Sequence, residues 1–261
     1  MRRITAPLGA TFAVVALALA VGCGGGSAED GDDVTSDATS TTSVARADVT
    51  GDDAGAGDDA PAPASSQVAR ADQELAVFAA AGDGEPAMVL QPATGFGSPR
   101  ALLVVAEAAD WLEVALPVRP NGTTGWIRRA DVELRAIDES IVVDLTARTL
   151  TLLDAGAEVL TTPVAIGADG NPTPTGRFYV VDKLDTRDPT GPYGRFAFGL
   201  SAFSDVLTEF AGGDGQVGVH GTNDPSSIGQ AVSHGCIRVP NEVAAQLSAT
   251  VNLGTPVTIL L

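Results

Sequence analysis

The chain's two histidines, His220 and His234, and the second of its two cysteines, Cys236, stand close together in Gly218-Val219-His220-Gly221-Thr222 and Ser233-His234-Gly235-Cys236-Ile237-Arg238. A thiol attacks carbon only as its thiolate, and a nearby imidazole or other positive group lowers it toward that state. His220 lies sixteen positions before Cys236, far enough for a loop to leave one strand and return beside it. Gly235 lets backbone crowd the sulfur, and consecutive amides of a tight turn at Gly235 and Cys236 can converge on one developing oxyanion. Arg238, two residues past the thiol, carries a fork of donors suited to a substrate carboxylate. This spacing points to acyl transfer through Cys236, with His220 favoured as base and His234, next to the turn, either shaping the loop or serving as the base itself.

Blander roles exist for the same residues. A solitary cysteine is commonly a small buried hydrophobe, and a solitary histidine commonly a hydrogen-bonded structural one. Neither role accounts for a glycine-flanked His-Gly-Cys beside an arginine. Zinc is a further alternative for two imidazoles and a thiol, but a catalytic zinc site usually adds a carboxylate or more thiolates at characteristic spacing. No metal and no cofactor is expected.

His220-Gly221-Thr222, Ser233-His234-Gly235-Cys236-Ile237-Arg238 and Asn241 together resemble the signature of the L,D-transpeptidase catalytic domain (YkuD-type), the cysteine enzymes that cross-link bacterial cell walls. Thr173-Pro174-Thr175-Gly176-Arg177-Phe178 resembles a substrate-side turn of the same family, and the likeness runs from about 140 to 261. The resemblance implies Cys236 as nucleophile, His220 as base, Ser233, His234 and Gly235 as the shaping wall, and Arg238, Thr222, Asn241 and Tyr193 as substrate contacts. It implies peptidoglycan stem peptides as substrate, with D-alanine leaving a tetrapeptide and a second stem's amine accepting the acyl group. It also implies inhibition by carbapenems. Some members carry Ser after the first histidine and Asn two after the cysteine, where this chain has Gly221 and Arg238. That leaves the partner that orients the imidazole open; a backbone carbonyl near Gly221 could take that role. An L,D-carboxypeptidase, an enzyme attaching proteins to the wall, and a catalytically silent wall-binding scaffold remain as alternatives.

These residues need elements to hold them, and 261 residues suffice for one sizeable domain with a small one beside it. A net charge of −18 excludes nucleic acid as a partner, because phosphates would be repelled. Residues 1–22 read as an export signal: Arg2 and Arg3 supply a positive start, and Thr11 to Val21 an apolar run too short for a comfortable membrane span. Leu19-Ala20-Val21-Gly22-Cys23 resembles a lipobox, which would leave Cys23 lipid-modified and the protein anchored at the outer face of the cytoplasmic membrane, facing the wall. With Cys23 acylated and Cys236 catalytic, no disulfide is expected. Residues 23–73, rich in Gly, Ser, Thr, Ala, Pro and Asp, read as a disordered acidic linker that cannot offset its chain entropy by burial.

Beyond it the fold is expected to be mainly β: a small SH3-like β-barrel over 74–135, followed by an L,D-transpeptidase-type β-sandwich with few short helices over 139–261. Leu75-Ala76-Val77-Phe78, Leu102-Leu103-Val104-Val105, Trp111 to Leu116 and Gly125-Trp126-Ile127 read as short strands, with Asn121-Gly122 as a turn. The segment from Trp111 to Leu134 resembles a bacterial SH3-like domain, which either grips wall peptides or glycan or serves as a spacer. In the second domain, strands are expected at Ile141 to Leu145, Thr149 to Asp154, Arg177 to Val181, Phe196 to Leu200 and Val257 to Leu261. Phe203 to Phe210 is expected to be a short helix, and Asn241 to cap a second one through about Val251.

Overall fold

The computed structural model describes residues 65–82, 84–209 and 213–261. The expected export signal, the lipidation site Cys23 and most of the acidic linker lie outside the described residues.

The chain enters through β1 (Ser66–Ala71), β2 (Leu75–Val77), β3 (Met88–Leu90), β4 (Arg100–Ala108), β5 (Trp111–Ala115), β6 (Thr124–Arg128) and β7 (Glu133–Ile137). Five of these form one antiparallel sheet in the order β6-β5-β4-β1-β7, and β2 pairs with β3. Alternation selects its inner face: Leu112 and Val114 on β5 are fully buried, while Trp111, Glu113 and Ala115 between them stay half-buried. The ordered chain begins earlier than its composition suggests. Ser66–Ala71, expected within the linker that was to run to 73, is an inner strand between β4 and β7. Its buried side chains, Val68, Ala69 and Ala71, are small, so its place is set by hydrogen bonding on both edges more than by an apolar pattern.

The second part begins with β8 (Glu139–Asp144), β9 (Thr149–Asp154), β10 (Ala157–Pro163), β11 (Ile166–Gly167) and β12 (Gly176–Asp185). It continues through β13 (Phe196–Phe203), β14 (Gln216–His220), β15 (Ala231–Ser233) and β16 (Ile237–Arg238), then α1 (Asn241–Thr250) and β17 (Pro256–Leu260). Eight of these strands form a mixed, curled sheet in the order β10-β9-β8-β17-β12-β13-β14-β16, and β11 pairs in parallel with β15. Ile141, Val143, Leu150, Leu152, Val257 and Ile259 alternate into a core completed by Val243, Ala244 and Leu247 of α1. The architecture is mainly β, as the strand patterns predict.

Strand β12 shows why the two sheets act as one body. Phe178-Tyr179-Val180-Val181 has lost its alternation because both faces are covered, as in any strand buried on two sides. Phe178 and Val180 join the catalytic core, whereas Tyr179 and Val181 join Leu75, Leu102, Leu112 and Ile127 in the core of the N-terminal sheet. The Tyr179 hydroxyl donates to the Ala115 carbonyl at 3.1 Å. Burying such side chains stabilises by about 2 kcal/mol each.

Two expected helical features are absent. Phe203 ends β13, and Ser204 Oγ then accepts the Val206 and Leu207 amides in a tight turn, leaving Val206 54% exposed. A serine that bonds its own downstream amides favours a turn over a helix. Helix α1 does form, but Pro240 occupies its cap position, and the Asn241 side chain points elsewhere.

Candidate active site

Strands β14 and β16 run parallel, with Val219 opposite Ile237 and His220 opposite Arg238. Cys236 immediately precedes β16, so the register sets it beside Gly218, two residues before His220 on β14. Both residues line one cavity of about 400 Å3, together with Tyr193, Phe198, Gly218, Gln216 and Phe96 among others.

Three neighbours build the turn around the thiol. Gly235 has φ +113°, a backbone region that side-chain-bearing residues rarely enter. Buried Ser233 donates its hydroxyl to the Cys236 carbonyl at 2.5 Å and accepts the Gly235 amide at 3.1 Å. Thr173, also buried, donates to the Gly235 carbonyl at 2.9 Å and accepts the Gly167 amide at 2.9 Å, which ties the turn to β11. Thr173 thus supports the catalytic turn from beneath; sequence reading had placed it in a substrate-side turn. The Gly235 amide, expected among oxyanion donors, is committed to Ser233.

His220 is 5% exposed, and its Nδ1 lies 2.5 Å from the Gly221 carbonyl. A carbonyl can only accept, so Nδ1 carries the proton and Nε2 presents its lone pair. This is the orienting role expected of a backbone carbonyl near Gly221. The Tyr193 ring packs edge-on against the imidazole, with centroids 4.8 Å apart at 65°. Burial pulls the imidazole down to about 4 despite the Gly221 bond that favours its charged form, and the Arg238 charge adds to the fall. Burial likewise pushes the Cys236 thiol up, opposed by a backbone hydrogen bond from Gly218 and by the Arg238 charge. Both directions favour the neutral thiol and imidazole over a resting thiolate–imidazolium pair. The reason is desolvation, which disfavours each charge separately.

Arg238 stands near enough to influence Cys236, His220 and Tyr193, and its Nε is buried with no hydrogen-bond partner among the described residues. Thr222 and Asn241, expected as substrate contacts, instead hold each other. Asn241 Oδ1 accepts the Thr222 amide and Nδ2 donates to the Thr222 carbonyl, both at 2.9 Å, while the Thr222 side chain is buried and its hydroxyl accepts the Asp224 amide at 3.0 Å. The pair fixes the chain just after His220. His234 is exposed and lies outside the cavity lining. Among the described residues no three His, Cys, Asp or Glu side chains are grouped for a metal.

Residues 138–259 match the family model of the L,D-transpeptidase catalytic domain, YkuD. YkuD of Bacillus subtilis (strain 168), named as an L,D-transpeptidase, is 40% identical over 119 residues, covering 46% of this chain and 64% of that protein. Its namesake in Bacillus licheniformis is 40% identical over 119 residues with the same coverage. The chain therefore spans less than two thirds of the length of these relatives. Among solved structures, L,D-transpeptidase 3 from Mycobacterium tuberculosis, in complex with a faropenem-derived adduct, aligns with a TM-score of 0.39 at 18% identity, over 53% of this chain and 73% of that one. Residues 138–259 are thus similar to the L,D-transpeptidase catalytic domain of the YkuD family.

Proposed function

We propose that this protein is a peptidoglycan L,D-transpeptidase that works through an acyl-enzyme on Cys236. The observation that carries the reading is that His220, at the end of β14, and Cys236, just before the adjacent parallel β16, line one cavity, with the imidazole tautomer fixed by the Gly221 carbonyl. As Cys236 Sγ bonds to the carbonyl carbon preceding the terminal D-alanine, His220 Nε2 takes the thiol proton. The imidazolium then passes that proton to the departing D-alanine nitrogen as the amide C–N bond breaks. A second stem's amine attacks the thioester, gives its proton to His220, and leaves Cys236 as thiol once the proton returns to sulfur.

Because His220 is neutral above about pH 4, it is ready to accept a proton throughout the neutral range. With the Gly235 amide engaged by Ser233, the Cys236 amide is the donor of this turn assigned to the oxyanion. Arg238 is assigned to a substrate carboxylate, in keeping with its unpartnered buried Nε. Tyr193 is assigned to cover the imidazole and exclude water. The N-terminal sheet is read as an SH3-like module, Cys23 as a lipid attachment point, and the protein as held at the outer face of the membrane toward the wall. Carbapenems, which imitate the acyl donor, are expected to acylate Cys236.

The test is incubation of the purified protein with a defined tetrapeptide stem, followed by mass spectrometry. An adduct on Cys236, free D-alanine and a stem dimer are expected. Tripeptide without dimer would reassign the protein as a carboxypeptidase, and the absence of any adduct or product would sink the reading.

A further inference from the structure

We infer that Phe96, carried by the N-terminal sheet and not by the catalytic domain, is a substrate-positioning platform of the Cys236 cleft. Phe96 lines the same cavity as Cys236 and His220, although every other lining residue lies between 184 and 236. The inference rests on the reading of this cavity as a peptide-stem site and names the residue that selects the stem.

An exposed phenyl ring is unremarkable by itself, and Phe96 is 65% exposed. What sets it apart is the fixture beneath it. The Thr94 amide donates to the Ser98 carbonyl at 2.9 Å, the Gly97 amide to the Thr94 carbonyl at 3.0 Å, and Gly97 adopts φ +85° to close the loop. Arg100 braces the loop from behind, donating through Nη2 to the Ala93 carbonyl and through Nε to that of Gln91. One bond then crosses to the catalytic sheet: Thr94 Oγ1 donates at 2.5 Å to Oδ1 of Asp182, a carboxylate only 2% exposed on β12. The ring is thus displayed at a fixed place, so that a ligand contacting it would freeze little additional motion.

The N-terminal sheet also props the far wall of the same cavity. Arg119 donates to the carbonyls of Ser204, Leu207 and Asp214, at 2.5, 3.0 and 2.9 Å, and Asn121 bonds both backbone groups of Phe203. Asp214 and Gly215 line the cavity.

The floor indicates what the ring meets. Gly199 and Gly218 face each other across β13 and β14, and a Cβ on Gly218 would stand 2.9 Å from the Phe198 carbonyl oxygen. Bare backbone flanked by Phe96, Leu184 and Phe198 suits an extended chain with aliphatic side groups, pressed between ring and strand. The alanine methyls and methylene runs of a peptide stem fit that surface, while its carboxylates and amine point away from it.

The experiment compares Phe96→Ala, Phe96→Tyr and Thr94→Val in the full chain with a tetrapeptide stem. For Phe96→Ala, KM is expected to rise about fivefold or more while kcat stays within about twofold, since a contact remote from the reacting atoms lowers both energy levels alike. Phe96→Tyr should restore KM, and Thr94→Val, which loosens the loop without touching the ring, should raise it by a smaller factor. Titration of the stem into Cys236→Ser protein, with and without Phe96→Ala, reads the same ratio without turnover. Unchanged KM and affinity in Phe96→Ala, with an active parent, overturn the platform and leave the site reading standing. A parent that neither binds nor is acylated by the stem overturns the site reading and the platform together.

Discussion

The Ser233 hydroxyl lies 2.5 Å from the carbonyl oxygen of Cys236 and donates to it, so one buried side chain closes the turn that carries the thiol. Removing it leaves that carbonyl and the Gly235 amide without their partner, at about 1–3 kcal/mol for each unsatisfied group. Ser233→Ala is expected to lower the melting temperature by several degrees and the acylation rate by at least about tenfold. Thr173→Val, which strips the second brace from Gly235, should behave similarly. Acylation at the parental rate in both variants would show that the turn holds itself.

The dry setting of the thiol makes a kinetic prediction. Since burial pushes Cys236 up and pulls His220 down, both shifts favour the neutral pair at neutral pH. The rate of alkylation by iodoacetamide is expected to climb roughly tenfold per pH unit through neutrality and still to be rising at about pH 9. A plateau between about pH 5 and 8 would reveal a resting ion pair and contradict this picture.

His220 also links stability to pH. Its folded value, about 4, lies below an ordinary histidine's 6.5, so between these values the unfolded chain binds a proton that the folded chain does not. Stability therefore rises with pH across that window and is lost as pH falls through it, by up to about 3 kcal/mol. Denaturant melts of parent and His220→Gln between pH 4 and 7 measure this: the parent should lose more stability on acidification than the variant. Equal slopes would remove His220 as the cause.

Gly221 is predicted to be irreplaceable only while Asn241 is present. A Cβ there would come within 2.2 Å of Asn241 Oδ1, which is held by the Thr222 amide, and within 3.3 Å of the Gly194 Cα. Gly221→Ala should displace the carbonyl that orients His220 and cost about tenfold or more in kcat, because a mis-set imidazole is a poor base. In an Asn241→Ala background the same change should cost markedly less, a coupling that a double-mutant cycle detects. Strict additivity would mean that the crowding is relieved elsewhere.

The grouping of His220 and Cys236 around one cavity was legible in the sequence because histidine and cysteine are rare in this chain and stand sixteen positions apart. Strands such as Trp111–Ala115 and Thr149–Asp154 were legible because their apolar residues alternate. Supporting residues were harder to place. Asn241 reads as a helix cap, yet its side chain finds a better pair of partners on Thr222, a contact between positions nineteen apart that no local pattern encodes. Ser66–Ala71 has almost no apolar signal and becomes a strand through neighbours on either side. Ionisation is a related case: spacing left open whether His220 takes the thiol proton during attack or already holds it, and desolvation, which depends on everything that folds over the two groups, favours the former. Phe96 offers no sequence signal at all, since its importance comes from which sheet lies against which.

Because Tyr179 and Val181 point out of the catalytic sheet into the other one, the two segments cannot be traded independently in the course of evolution or by a protein engineer. A fragment cut at residue 138 would present a greasy flank to water and would tend to stick to itself. A graft of a foreign front module would have to reproduce that flank's shape before it could be of any use. Whatever lineage this front half came from, it has become half of a single solid.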